Sequence, residues 1–558
     1  MKRLLCILFT VIVLSLGATE IAPRRALNIA EDILGSQSRL HRIHEGETLY
    51  SASTALAYVY HLSPSGYIVI SAQEELPVLM AYSLESPFRD RSGKNLLQEL
   101  LLADLANRLS YPPLHEVNRR QWLEAERRAP GMNLRNEYLL NTSWNQTHPW
   151  NSMCPMDLVS QSRSLAGCPA IAMAQILNYL QTLNGTRLDD TDDYYHSYAG
   201  RNYMIDDDFL ELGFPSFADL NTSLDEVDAT FRLGNPLSST TSAALVFAAG
   251  TALKQVYSSQ GSGTFAVSQA YTAFQRFGFP NTELLGPTAE NLYTKMIANL
   301  SDGIPVHLAV VTPAWDAGHN VVVDGYSAEG MYHLNFGWGG SYNGWYNLPE
   351  GIPYNLSVVE GAVVDIYPVV SIMSLPAALQ IEAGGSQTIE LVNLSNSPLQ
   401  LQYIVFGEGL NAAEWSINPG LYSTIAAMDL LNITISHNIP AREQIESTIR
   451  LVFDHAWLEL PLTLSSGSST EDMQQTPPAL SVRVSPNPFS ERCEFLLSEG
   501  KASPMSLSIY NLKGQLVKIS EEPLWDGNTQ SGDSCPSGIY LYRLQSGNRT
   551  VLGKVLKR

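Results

Sequence analysis

The sequence predicts a multi-domain chain in which two α+β segments precede two all-β modules. Three observations predict it. The length of 558 residues exceeds what a single hydrophobic core organises. Helical periodicity mixes with short apolar runs as far as about residue 368, and beyond that only strand-like alternation remains. A polar, proline-containing, non-periodic stretch, SSGSSTEDMQQTPPAL, then separates one alternating region from another.

Taken in order, residues 1–18, MKRLLCILFTVIVLSLGA, carry a Lys-Arg start, an apolar run and small residues ending at Ala18. That is the pattern of a secretory signal peptide cleaved just after Ala18. Residues 19–138 open on the helical RRALNIAEDIL, continue through the strand-like LAYVYHL and GYIVISA, and close on the long helical stretches LLQELLLADLANRLS and NRRQWLEAERR. Residues 139–368 place helices first (AIAMAQILNYL, TSAALVFAAGTALKQVY) and strands second (PVHLAVV, HNVVVDGY, YHLNFGW), an α+β order. Residues 369–465 alternate through ALQIEAG, QTIELVNL, LQLQYIVF, LNITISH, STIRLVF and LELPLTL, about seven short strands that read as an Ig-like β-sandwich. Residues 466–479 are linker. Residues 480–558 alternate again (SLSIYNL, QLVKIS, GIYLYRL, TVLGKVLKR) as a second, small all-β module.

Composition narrows the class. Hydrophobic residues make up 45% and charged residues 16%, as in folded protein. A net charge of -21 argues against nucleic acid, whose phosphates demand clustered Lys and Arg. After the signal peptide, no stretch approaches the roughly 18 apolar residues of a membrane span, so no transmembrane segment is expected in the mature chain. Once Cys6 leaves with the signal, Cys154, Cys168, Cys493 and Cys535 remain, too few for a disulfide scaffold. Cys493 and Cys535 share the last segment, and pairing with each other is one arrangement open to them.

The chemistry gathers around GCPAIAMAQI at 167–176. Pro169 suits the first turn of a helix, which places Cys168 at or beside the N-cap. There the unpaired N–H groups and the helix dipole favour a thiolate, the reactive form of cysteine. His319, in GHNVVVDGY at 318–326, opens a β-branched strand about 150 residues later and is the candidate general base. Asn335 and Trp338, in HLNFGWGG at 333–340, are candidates to fix the imidazole and to cover that hydrogen bond from water. Gln146, in WNQ at 144–146, is a candidate oxyanion donor alongside the N–H of Cys168. Each piece alone is weak; their order within one segment of domain size points to nucleophilic catalysis.

In these motifs the segment from about 141 to 350 resembles the streptopain family of papain-clan cysteine peptidases, secreted by bacteria as zymogens. The resemblance implies an α+β papain-like peptidase domain at 139–368, with Cys168 as nucleophile and His319 as base. It also implies Gln146 as the oxyanion amide and Asn335 with Trp338 as the support of the histidine. Two positions depart from the family pattern: Phe336 replaces the first tryptophan of WGW, and Pro169 follows the nucleophile where valine is more usual. GYIVISAQEELPVLMAYS at 66–83 is similar to the family's inhibitory propeptide, which implies that 19–138 blocks the cleft until a cut between about Arg127 and Asn141. GSGTFA at 261–266 stands where the family has a loop on the non-primed side of the cleft.

SPNPF at 485–489 and PSGIYLYRL…GKVLKR at the end resemble the C-terminal sorting domain of the type IX (Por) secretion route. The implied partners are protein or peptide substrates, the chain's own propeptide as inhibitor, and an outer-membrane secretion machinery. The implied preference is an apolar residue one position before the scissile one. No P-loop or HExxH occurs, and neither cofactor nor metal is expected; DDTDD at 189–193 and DDD at 206–208 lack an EF-hand's spacing and read as solvated acidic loops. Two other functions compete with hydrolysis: a catalytically silent adhesion protein on the same scaffold, and acyl transfer to an amine.

Overall fold

The computed structural model describes residues 19–35, 40–88, 96–125, 137–301, 303–312, 318–352, 357–368, 371–393, 397–427, 429–439, 444–454, 456–466, 482–487, 489–497, 505–510, 516–520, 522–530, 532–536, 538–546 and 549–557. The expected signal peptide, most of the linker and positions 127–136 of the expected processing window lie outside these residues. The chain divides at Val369/Val370 into two compact units.

In the first unit, α1 (Pro23–Leu34) has proline in its first turn and buries Ala26, Ile29, Ala30, Ile33 and Leu34. That spacing puts every apolar side chain on one helical face. Strands β1 (Arg42–Ser51), β2 (Thr54–Ser63), β3 (Tyr67–Ser71) and β4 (Leu79–Ser83) follow as an antiparallel meander. All five residues of β3, within the GYIVISA run, are buried, because α1 covers one face and α2 (Leu96–Leu109) closes over the other. Helix α3 (His115–Ala125) anchors on Trp122, whose Nε1 donates to the carbonyl of Leu76 at 3.0 Å.

Two short hairpins, β5 (Met156–Asp157) with β6 (Ser162–Arg163) and β7 (Tyr194–Tyr198) with β8 (Arg201–Ile205), flank helix α4 (Cys168–Leu180). Nine successive residues of α4, Pro169 to Leu177, are buried. A helix apolar on all sides belongs in a core, and α4 shares one with α6 (Phe217–Leu233), α7 (Ser239–Ala252) and α8 (Val267–Arg276), after the single turn α5 (Phe209–Leu212). Then come β9 (Glu283–Leu285), α9 (Leu292–Ser301), β10 (Val306–Val311), β11 (Gly318–Tyr326), β12 (Tyr332–Asn335), β13 (Gly344–Tyr346) and β14 (Val359–Val364).

One ten-stranded sheet runs β1-β2-β3-β4-β13-β12-β11-β10-β14-β9. The join between its N-terminal and C-terminal parts is the β4–β13 pairing, Tyr82 against Trp345 and Ala81 against Tyr346. Gly344 opens β13 because there is no space for a side chain: a Cβ there would lie 2.6 Å from the carbonyl oxygen of Tyr82 and 2.7 Å from the hydroxyl of Tyr67. Arg108 of α2 adds two bonds to Asn347, at 2.8 and 2.7 Å.

The second unit has only strands and short turns among its described residues. Residues 372–465 form a four-stranded and a five-stranded sheet around one core that includes Ile389, Leu391, Ile433, Ile435, Leu451 and Leu462. Ile372–Leu375, Trp415–Asn418 and Thr424–Ile425 are further short strands. Residues 482–557 form a three-stranded and a four-stranded sheet around Phe489, Phe495, Trp525, Tyr540 and Tyr542. Cys493 and Cys535 are both buried and free, so they do not pair.

Candidate active site

The turn into α4 is held from both sides. The N–H of Ala166 donates to the carbonyl of Gln146 at 2.8 Å, and the Ala166 carbonyl accepts from Nε2 of Gln255 at 2.7 Å. Gly167 follows at φ +84°, and a Cβ there would meet the Gln255 side chain at 2.5 Å. Only glycine supplies both the angle and the space. Cys168 is therefore delivered as the first residue of α4, with Pro169 next. Of the four described cysteines, Cys154, Cys493 and Cys535 are buried, and Cys168 alone is half-buried. The main-chain bond to Ala166 brings half-buried Gln146 to within two residues of the nucleophile. In the 261–266 loop, Gly263 faces the ring of Pro169, a Cβ there falling 3.9 Å from Cδ.

His319 begins β11 and pairs in register with Val310 of β10. Its Nε2 lies 2.7 Å from the carbonyl oxygen of Phe336. The indole of Trp338 sits over the imidazole with ring centroids 4.0 Å apart, and the Phe336 ring stacks at 5.8 Å. The turn carrying that carbonyl rests directly on α4: Gly337, at φ +65°, would put a Cβ 2.7 Å from Cγ2 of Ile171. The peptide N–H of Asn320, the next residue after His319, donates to the Sγ of Cys168 at 3.4 Å. Thus the start of β11 meets the start of α4 at the sulfur.

Asn335 is placed differently from the expectation. Its Nδ2 donates to the carbonyl of Thr142 at 2.7 Å, and its Oδ1 accepts from Gly337 N at 3.0 Å and from Gln175 at 3.2 Å. The imidazole's partner is instead the adjacent main-chain carbonyl, so Asn335 braces the turn that presents it.

The electrostatics also differ from the expected thiolate. Burial pushes the Cys168 thiol up to about 11, against the opposing pull of the Asn320 donors and its own N–H. Burial pushes His319 down to about 4, against the Phe336 carbonyl. At both groups burial is the largest influence, and at the thiol it opposes what the helix terminus favours.

Three residues near the sulfur carry no sequence signal of their own. Gln255, Asn320 and His307, whose Nε2 lies 2.8 Å from Oδ1 of Asn320, come together through strand register and helix packing. The acidic run at 189–193 is not wholly solvated: Asp192 is buried and takes two bonds from Arg276 at 2.8 Å. Among the described residues, no cluster of three or more His, Cys, Asp or Glu is arranged to hold a metal ion, and no helix is long and apolar enough to cross a membrane.

A thiol at a helix N-terminus, touched by the start of the antiparallel strand that carries His319, fits the order of a papain-like cysteine peptidase. Residues 144–346 match the Peptidase C10 family, the streptopain family. Residues 18–107 match the Spi protease inhibitor, and residues 483–558 the secretion system C-terminal sorting domain. The combination is that of a thiol protease with an inhibitor-type N-terminal segment and a type IX sorting tail directing it to the cell surface or beyond.

Among relatives, the chain is 25% identical over 313 residues to the thiol protease/hemagglutinin PrtT of Porphyromonas gingivalis, covering 53% of this chain and 34% of that protein. It is 24% identical over 360 residues to streptopain of Streptococcus pyogenes, covering 60% of this chain and 82% of that one. The chain thus spans about a third of PrtT and most of streptopain. A solved fragment of prointerpain A from Prevotella intermedia aligns over 58% of this chain and all of its own, with 21% identity and a TM-score of 0.40.

Proposed function

We propose that this chain is a secreted cysteine endopeptidase made as a zymogen. The Cys168 sulfur attacks the scissile carbonyl carbon while its proton passes to His319. The carbonyl π electrons collect on the oxygen, which the Gln146 amide and a backbone N–H stabilise. Collapse of that adduct expels the amine, which takes the proton back from His319 and leaves an acyl-enzyme thioester. Water, deprotonated by the same ring, then releases the acid. Asn335 steadies the turn that holds the ring, and Trp338 keeps water off it.

The observation that carries this reading is the convergence on one sulfur of a helix N-terminus and the His319–Asn320 strand start, beneath Trp338. The Phe336 carbonyl supports the direction of proton transfer. A carbonyl only accepts, so Nε2 bears the proton and Nδ1 is the basic nitrogen.

The organisation proposed is a signal peptide (1–18), an inhibitory propeptide (19–138), a peptidase domain (139–368), an Ig-like sandwich (369–465), a linker and a sorting module (480–558). The propeptide's contacts with β13, and the bond from Tyr342 N to the carbonyl of Pro87 at 3.3 Å, support latency imposed through the turn beside His319. Casein cleavage by processed protein, with and without a thiol alkylator, tests the assignment. Cleavage is expected to vanish with the alkylator and in Cys168→Ala; undiminished cleavage by Cys168→Ala overturns it.

A further inference from the structure

We propose that Asn320, held in place by His307, is a second catalytic residue at Cys168: its main-chain N–H and side-chain amide together stabilise the sulfur as it becomes an anion. The inference rests on Cys168 being the nucleophile, and it adds a group that the Cys–His pair does not include.

The register of the sheet creates the arrangement. Asn320 stands opposite Ala309 on β10, and His307 stands opposite Val322. Asn320 and Val322 lie on one face of β11, as do His307 and Ala309 on β10, because strand side chains alternate with period two. Ala309 and Val322 belong to the core built around α4. Asn320 and His307 are thus diagonal neighbours on the sheet face that packs against the nucleophile's helix.

Hydrogen-bond chemistry then fixes which end of the amide meets the sulfur. His307 is fully buried, and its Nε2 lies 2.8 Å from Oδ1 of Asn320. An amide oxygen only accepts, so Nε2 of His307 carries the proton and donates it. That locks Oδ1 toward His307 and leaves the NH₂ as the end available to the sulfur. The peptide N–H of the same residue reaches Sγ at 3.4 Å. When the S–H proton passes to His319, both Asn320 donors stay on the anion, and bonds to a charged acceptor are roughly twice as strong as neutral ones.

The burial of His307 argues in the same direction. Its Nδ1 has no hydrogen-bond partner among the described residues, a cost that an apolar residue at this core position would avoid. What the histidine contributes in exchange is its bond to Asn320. Among the described residues, the titratable or charged side chains of the elements packed on α4 are His307, His319, Tyr271, Arg276, Asp324 and Tyr326. Arg276 is bonded to Asp192, and Asp324 to His333 and Leu140.

The test is the pH dependence of iodoacetamide alkylation at Cys168 in the full-length chain, followed by peptide mass spectrometry, with kcat and KM of processed protein measured in parallel. Asn320→Ala is expected to raise the alkylation midpoint by about one pH unit, the worth of one hydrogen bond to a charged group. Asn320→Asp, close in shape, replaces a donor with a negative charge and is expected to raise it further. His307→Phe frees the amide and gives a smaller rise, absent when Asn320 is already Ala. In each case kcat falls and KM holds. Midpoints unchanged in both Asn320 variants, with cleavage still lost in Cys168→Ala, overturn this inference alone. Cleavage that persists in Cys168→Ala overturns the nucleophile and this inference with it.

Discussion

The proton-bearing nitrogen of His319 is held by a main-chain atom, the carbonyl oxygen of Phe336, at 2.7 Å. No side-chain substitution deletes that acceptor, so the ring's tautomer is protected from mutation in a way that an asparagine-held ring is not. Asn335, which ties the turn to Thr142, Gly337 and Gln175, acts one step removed. Asn335→Ala is expected to cost about 1–3 kcal/mol in stability, as buried partners lose their bonds. It should lower kcat while leaving the pH limbs of kcat/KM in place. Limbs that move as the residue is removed would mean that Asn335 touches the ring after all.

Phe336 is not a defect awaiting repair. Its ring is 2% exposed and packs on His319, Trp338, Tyr342 and Tyr346. Restoring the family's tryptophan with Phe336→Trp adds volume to a filled site, at a cost of about 1–3 kcal/mol. A lowered thermal midpoint and no gain in kcat are expected. A more active, equally stable variant would show that the indole N–H had been the missing feature.

The seam between the N-terminal sheet and the peptidase sheet runs through Gly344. Gly344→Ala drives a methyl group into the Tyr82 carbonyl, an obstacle that only a backbone shift relieves. The β4–β13 pairing should loosen, and the full-length protein should be processed several-fold faster under limiting protease. Unaltered processing kinetics would separate latency from this seam.

Acid should weaken the first unit through its buried histidines. Burial pushes His196, His307 and His319 each down to about 4, with the hydrogen bonds that His307 and His319 donate to Asn320 and Phe336 partly opposing it at those two. A histidine whose folded pKa lies below its unfolded 6.5 leaves the folded state with fewer bound protons between those values. Its stability contribution is therefore intact above about pH 6.5 and is lost as pH falls toward 4. At pH 5 each histidine is worth about 2 kcal/mol relative to neutral pH. Urea midpoints should drop markedly from pH 7.5 to pH 5, less so in His307→Gln. A flat profile over that interval would show that these rings take up protons without unfolding.

What could be read in the sequence was what local punctuation announces. Gly167 before Cys168 and Pro169 after it mark a helix start by themselves, and Gly318 before a β-branched run marks the strand that bears His319. The apolar runs in GYIVISA and HNVVVDGY likewise became strands. Partners chosen by tertiary register were not legible. Nothing near residue 307 says that its side chain will face Asn320, and nothing near residue 255 says that it will support Gly167. The hydrogen-bond partner of His319 was assigned one residue early, because a side-chain amide is visible in a sequence and a particular main-chain carbonyl is not. The thiol's electrostatics are legible only in part for a related reason: the helix terminus is local and readable, whereas the desolvation that opposes it is a property of the whole packed site.

The most direct measurement is the stoichiometry of inactivation. Processed protein is titrated with iodoacetamide and the residual peptidase activity is plotted against label at each cysteine. Activity is predicted to fall in step with label on Cys168 and to reach zero at one equivalent, with Cys154, Cys493 and Cys535 unmodified. Activity that survives complete labelling of Cys168 would contradict the account.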